Sequence, residues 1–343
     1  MTDYEMYELG DWPLESGEVL PDARLAYKTY GNLAPSHDNV VLFPTAYGQR
    51  HTDCEPFFQE GLALDPQRWF IVVPNMFGNG LSSSPSNTRP PHDRGRFPRM
   101  TIDDMVRAQH RLLTEHLGIE RLALVTGTSM GALQTFHWGA HHPEMVERIL
   151  PTCGAARCSV HNYVFLEGVK AALTCDPAFK DGDYEERPER GLRAMGRVWA
   201  GWALSQAFYR ERRYLELGFA DLEDYLVRAW EEPRLDRDAN DMLSMIWTWQ
   251  HADIAASPRF NGDFAKALAA IEAEAIVMPG STDLYFPPED NAYEVARMPH
   301  AELRPIPSIF GHGAGGRSGR SPEDEAFVDA ALKELLARPG RLR

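Results

Sequence analysis

Cysteine is scarce in this chain: Cys54, Cys153, Cys158 and Cys175 are the only four in 343 residues. They are too few and too irregularly spaced for a disulfide framework or a zinc knuckle, and reduced thiols follow. Long hydrophobic runs are also missing. No segment therefore reads as crossing a bilayer, and the acidic start "MTDYEMYELGDW" lacks the basic and apolar parts of an export signal. A cytoplasmic protein is expected. Positive charge is short as well, with 35 Lys and Arg against 50 Asp and Glu, a formal charge of −15. Such a balance repels nucleic acid and anionic membranes, and "YRERRY" at 209–214 reads as a solvated helix face. Neither nucleic acid nor membrane is expected as a partner. The sequence holds no His-Glu-x-x-His, no closely paired cysteines and no lysine-bearing phosphate loop, so no metal or bound cofactor is expected.

What is present is the material of a folded core: 43% of residues are hydrophobic and 10% aromatic. Short apolar runs recur between helix-like stretches, at 23–31, 39–45, 69–75, 122–128, 148–153, 275–280 and 302–307. They are continuous rather than alternating, as strands covered on both faces are. The pattern predicts an α/β fold with a mostly parallel central sheet flanked by helices. Residues 103–118 predict one such helix, with Gly118 as its stop. Between 157 and 258 the strand rhythm ceases, and five of the eight tryptophans fall there. That stretch is read as a helical cap inserted into a core made of residues 1–156 and 259–343, with its aromatics chiefly forming the cap's own core and a few able to line a cleft between cap and sheet.

"VTGTSMGAL" at 125–133 sets Ser129 between Gly127 and Gly131, after a buried strand and before a helix. In that setting Gly-x-Ser-x-Gly is a nucleophile elbow: the serine takes a strained backbone conformation, and only glycine tolerates the close approach on either side. A serine hydroxyl needs a histidine to take its proton and an acid to orient that histidine, in the chain order serine, acid, histidine after later strands. Asp283 follows the strand at 275–280, and His312 follows the strand at 302–307. Asp290 is the rival acid, but its position suits helix capping. His300 precedes its strand, and His137, His141, His142, His161 and His251 suit packing or surface roles. The oxyanion donors are expected to be the N–H of Met130 and that of Ala46, with Tyr47 close behind.

These segments resemble the α/β-hydrolase superfamily, and within it the homoserine O-acetyltransferase family. The likeness is carried by "GQRH" at 48–51, residues 69–87 and 104–122, "GTSMGALQ" at 127–134, and the segments around Asp283 and His312. It implies an α/β-hydrolase fold and acyl transfer through an acylated Ser129. Acetyl-CoA is the family's acyl donor and homoserine its acceptor. Two features depart from that pattern. The family's aspartate after the catalytic histidine is replaced by Gly313, and "FYRERRY" does not reproduce the Tyr-Arg-Ser setting of its carboxylate-binding arginine. Losing an ion partner for an amino-acid ligand costs several kcal/mol, roughly 3–5. Hydrolysis of a small or medium carboxylic ester is the expected reaction, with acetyl-CoA-dependent O-acyl transfer as the alternative. The expected partner is a small acyl ester or acyl donor, and a homodimer is left open.

Overall fold

The computed structural model of the chain describes residues 2–341. Eight strands form one sheet in the order β1-β2-β4-β3-β5-β6-β7-β8. The strands are β1 (Glu5–Pro13), β2 (Val19–Tyr30), β3 (Val40–Leu42), β4 (Phe70–Pro74), β5 (Leu124–Thr128), β6 (Arg148–Thr152), β7 (Glu274–Val277) and β8 (Ala301–Leu303). From β4 to β8 neighbouring strands run parallel, whereas β1 pairs antiparallel with β2, and β2 with β4. Sequence reading found seven of these strands and missed β1, whose outer position lets polar residues share it.

The apolar runs are continuous because both sheet faces are covered. Val40, Leu42, Val72, Val125 and Ile149 face one apolar cluster, together with Leu133 and Phe136 of the helix Met130–His141. Val41, Ile71, Val73, Leu124 and Leu150 face the other, closed by Val328, Leu332 and Leu335 of the terminal helix Pro322–Ala337. Each fully buried Val or Leu contributes about 1.5–3 kcal/mol, so the three-layer arrangement fixes where the strand ends lie.

The helix expected at 103–118 runs Ile102–Arg111 and continues as a π-helical turn to His116. Thr101 and Asp104 cap its start reciprocally, and Gly118 ends it at φ +65°. Between β6 and β7 the described chain is helical, the longest pieces being Val160–Thr174, Glu189–Ala203 and Ala239–Gln250. The two ends of this segment meet at a narrow neck. There Arg157 and Asp253 form an antiparallel bridge, Cys158 N–H donates to Ala252 O at 2.8 Å, and Ile254 N–H donates to Ala156 O at 3.1 Å. Among the described residues, no helix is long and apolar enough to cross a membrane.

Candidate active site

Strand β5 ends at Thr128, and the next helix begins at Met130, leaving Ser129 as a one-residue hinge with φ 55° and ψ −122°. A non-glycine residue resists that conformation and keeps it only where surrounding bonds enforce it. Ser129 N–H donates to Thr152 O at 3.0 Å, and Ser129 O accepts from Ala132 N–H at 2.9 Å and Leu133 N–H at 3.1 Å. The flanking glycines are required by space. A Cβ on Gly127 would lie 2.8 Å from the Gly131 carbonyl carbon, and one on Gly131 would lie 2.6 Å from Pro44 O. Met130, the first residue of the helix, has an amide with no acceptor inside the helix.

Asp283 follows β7 in a turn where its carboxylate is enclosed. Its Oδ1 accepts from Tyr285 N–H at 2.8 Å and Phe286 N–H at 3.2 Å, and its Oδ2 lies 2.8 Å from His312 Nδ1. His312 follows β8 in a short 3₁₀ turn, Gly311–Gly315, and its ring packs against Tyr285 at 4.6 Å between centroids. Two backbone donors on one oxygen and one imidazole on the other leave the carboxylate a single way to sit.

Ser129 and His312 line one cleft of about 360 Å³, with Ala46 and Tyr47 of the loop after β3 on its wall. Among the described residues no hydrogen bond joins the Ser129 hydroxyl to His312. The fold therefore brings Ser129, His312, Asp283, Ala46 and Met130 to the strand ends of one sheet. Asp290 lies in the first turn of the helix Pro288–Val295, beside a separate cavity with Arg157 and Phe264. His300 sits 3.8 Å from Glu272.

Two features were not read from the sequence, the engagement of the Ala46 N–H and the arginine that enters the cleft. Ala46 N–H is engaged: it donates to Gln49 Oε1 at 3.0 Å across a turn closed by Gln49 N–H to Ala46 O at 3.0 Å. Trp199, Trp230 and Trp249 are among the aromatics left able to line a cleft between cap and sheet, and they do line it, Trp199 and Trp249 stacking at 5.8 Å. The arginine that reaches the cleft from the helical segment is Arg234, and none from 209–214 does. Gly313 also lines the cleft, and a Cβ there would meet nothing closer than 3.8 Å.

Asp103, His137 and His141 are the one group among the described residues whose ligand atoms come close enough to hold a metal, all within 4.8 Å. The His137 and His141 rings stack at 4.0 Å with planes 3° apart, so their lone pairs run parallel instead of converging on one ion. Burial, and the neighbouring His137, push His141 down to about 4. The i,i+4 spacing of these histidines on one helix was the available signal.

A mostly parallel sheet with a strained serine on a strand-to-helix turn defines the α/β-hydrolase class. Comparison with known proteins agrees: a family profile described as alpha/beta hydrolase fold matches residues 38–194. The chain is 39% identical to an ethyl acetate hydrolase of Pseudomonas veronii, over 98% of this chain and 96% of that protein. It is 35% identical to a homoserine O-acetyltransferase of Caulobacter vibrioides, over 96% and 93%. An acetylester hydrolase from Corynebacterium glutamicum superposes with a TM-score of 0.94 at 36% identity, over 98% of this chain and 96% of that one. The chain belongs to the α/β-hydrolase family, in the branch that holds both esterases and homoserine O-acetyltransferases, and it is an enzyme of that class.

Proposed function

We propose that the chain hydrolyses small carboxylic esters, acetates foremost, through an acyl-enzyme on Ser129, with His312 as general base and Asp283 orienting it. The observation that carries this reading is the 2.8 Å contact of His312 Nδ1 with Asp283 Oδ2, in a cleft shared with the strained Ser129. An aspartate on Nδ1 keeps the proton there, leaving Nε2 free to accept one.

Ser129 Oγ attacks the ester carbonyl carbon while His312 Nε2 takes the hydroxyl proton. The carbonyl electron pair moves onto oxygen, where the N–H of Met130 is one donor and that of Ala46 the second, once the Gln49 carboxamide turns away. Collapse of this intermediate breaks the bond to the alcohol oxygen, which leaves with the proton from His312. A water then gives its proton to His312 and attacks the acyl carbon. The bond from the acyl carbon to Ser129 Oγ breaks, Oγ takes back the proton held by His312, and the acid departs. None of these steps calls on a cofactor, and the reading places the enzyme in the cytoplasm, where its free thiols stay reduced.

Gly313 supports water over an amino-acid acceptor, since no carboxylate follows His312 to hold an ammonium group. O-acyl transfer from acetyl-CoA is the second reading, kept by the relatives named homoserine O-acetyltransferase. Incubation with p-nitrophenyl acetate alone, and separately with acetyl-CoA plus homoserine, separates the two. Steady ester turnover without an acceptor supports hydrolysis; turnover that waits on homoserine overturns it.

A further inference from the structure

The cleft holds a cation with no counter-ion. Arg234 enters it from the helical segment between β6 and β7, in the short helix Glu232–Leu235. Its Nε is enclosed and has no hydrogen-bond partner, and no ion pair among the described residues includes it. The nearby acids are committed elsewhere. Glu231 binds Arg193 and Arg197, and Asp53, the carboxylate on the cleft wall, faces Arg237 at 3.9 Å and accepts from Arg50 N–H at 2.8 Å.

Burial pushes the guanidinium below its ordinary value, and another cation, Arg237, adds to that. The Trp230 ring, 6.0 Å away, is at the outer limit of a cation–π contact and compensates little. The enclosed neighbours add further donors without acceptors: the indole N–H groups of Trp199 and Trp249 are both unpartnered. At the rim stand Arg317 and Arg320, from the loop that follows His312. A chain of formal charge −15 thus lines its cleft with three arginines and one aspartate. Arg234 as a whole is half-buried with its Nε enclosed, and a partly dehydrated charge without a partner is costly unless a ligand completes it.

We infer that Arg234, with Arg317 and Arg320 at the rim, is an anion subsite, and that the ester turned over at Ser129 carries an oxyanion, a carboxylate or a phosphate, away from its scissile bond. The inference rests on the hydrolase reading for its chemistry but not for the binding of the anion. A planar guanidinium matches a carboxylate through two parallel N–H donors, and a partly dry cleft strengthens the pairing.

The test compares 3-acetoxypropanoate with its neutral carboxamide isostere, 3-acetoxypropanamide, and adds 2-acetoxyethyl phosphate. For the wild type, kcat/KM for the carboxylate exceeds that for the carboxamide at least tenfold, chiefly through KM, and the phosphate ester shows which oxyanion is preferred. Arg234→Gln collapses the ratio toward one, while Arg234→Lys keeps part of it. A wild-type ratio near or below one for both anions overturns the subsite, as does a ratio unchanged in Arg234→Gln. Calorimetric titration of Ser129→Ala protein with 3-acetoxypropanoate reads the subsite without turnover. Binding there that is lost on adding Arg234→Gln, in a protein that hydrolyses none of the three esters, refutes the hydrolase reading and keeps the subsite. No binding alongside brisk hydrolysis of the neutral ester does the reverse.

Discussion

Replacing Asp283 with asparagine tests the proposed proton path at its most constrained point. Asp283 Oδ1 accepts two backbone N–H groups, from Tyr285 and Phe286, so an asparagine there must keep its carbonyl oxygen on that side. Its NH₂ group then faces His312 Nδ1 where Oδ2 stood at 2.8 Å. A donor at that place turns Nδ1 into an acceptor and moves the imidazole proton to Nε2, the nitrogen that must receive the serine proton. The geometry survives and the tautomer is wrong. Loss of about 10⁴-fold in kcat is expected, from the same exchange in serine proteases, or about 5 kcal/mol of barrier at 1.36 kcal/mol per tenfold. Steady-state hydrolysis of p-nitrophenyl acetate at pH 7 measures it, with thermal melting to show that the variant remains folded. A folded variant that keeps more than about one-thirtieth of wild-type kcat refutes the role given to Asp283.

The other predictions concern the elbow and the seam between helical segment and sheet. Ser129→Ala lowers ester turnover by at least about a thousandfold and abolishes labelling by a fluorophosphonate probe; a labelled or active variant moves the nucleophile elsewhere. Gly131→Ala drives a Cβ to 2.6 Å from Pro44 O, so the loop carrying Ala46 must shift. A stability loss of about 1–3 kcal/mol together with reduced kcat is expected, and an unchanged melting temperature and kcat contradict the packing argument. Asp241 clasps Ser86 through its backbone N–H at 2.9 Å and its hydroxyl at 2.6 Å, and burial followed by the charge of Asp238 pushes its carboxyl up to about 7. Between its ordinary value and about 7 the folded form holds a proton that the unfolded chain has released, so this group's contribution to stability falls as pH rises through that window and levels off above it. Thermal melts of Asp241→Asn against wild type should show a larger relative gain at pH 8 than at pH 5, and parallel curves would dismiss the effect.

How much of this was legible in the sequence depended on how local the cause was. Strands β3 to β7 are short, largely apolar runs buried on both faces, a pattern that propensity alone reveals. The order of Ser129, Asp283 and His312 follows from a sheet that delivers its loops to one edge. Strand β1 was missed because "EMYELGDWP" mixes charged and apolar residues at the rim of the sheet, where exposure permits both. The engagement of Ala46 N–H by Gln49 depends on a side-chain rotamer, and no periodicity reports that. Arg234 was passed over for a different reason. In the text it lies among acids, "EEPRLDRD", and only the fold shows that those acids turn away while it faces the serine's cleft.

The helical segment joins the sheet through the neck at Arg157 and Asp253 and also leans on the sheet side directly, Asp241 on Ser86, Thr248 on Met100 O and Ser205 on Ile309 O. Both passes of the chain cross that point side by side and hydrogen-bonded, so the segment leaves the sheet and returns to it at one place. Ester choice can then change by rebuilding one contiguous stretch of polypeptide, provided its contacts to Tyr285 and Ile309 beside the catalytic loops are rebuilt with it. Grafting the whole stretch from an esterase relative, joined at this pair, is the natural unit for exchanging one selectivity for another.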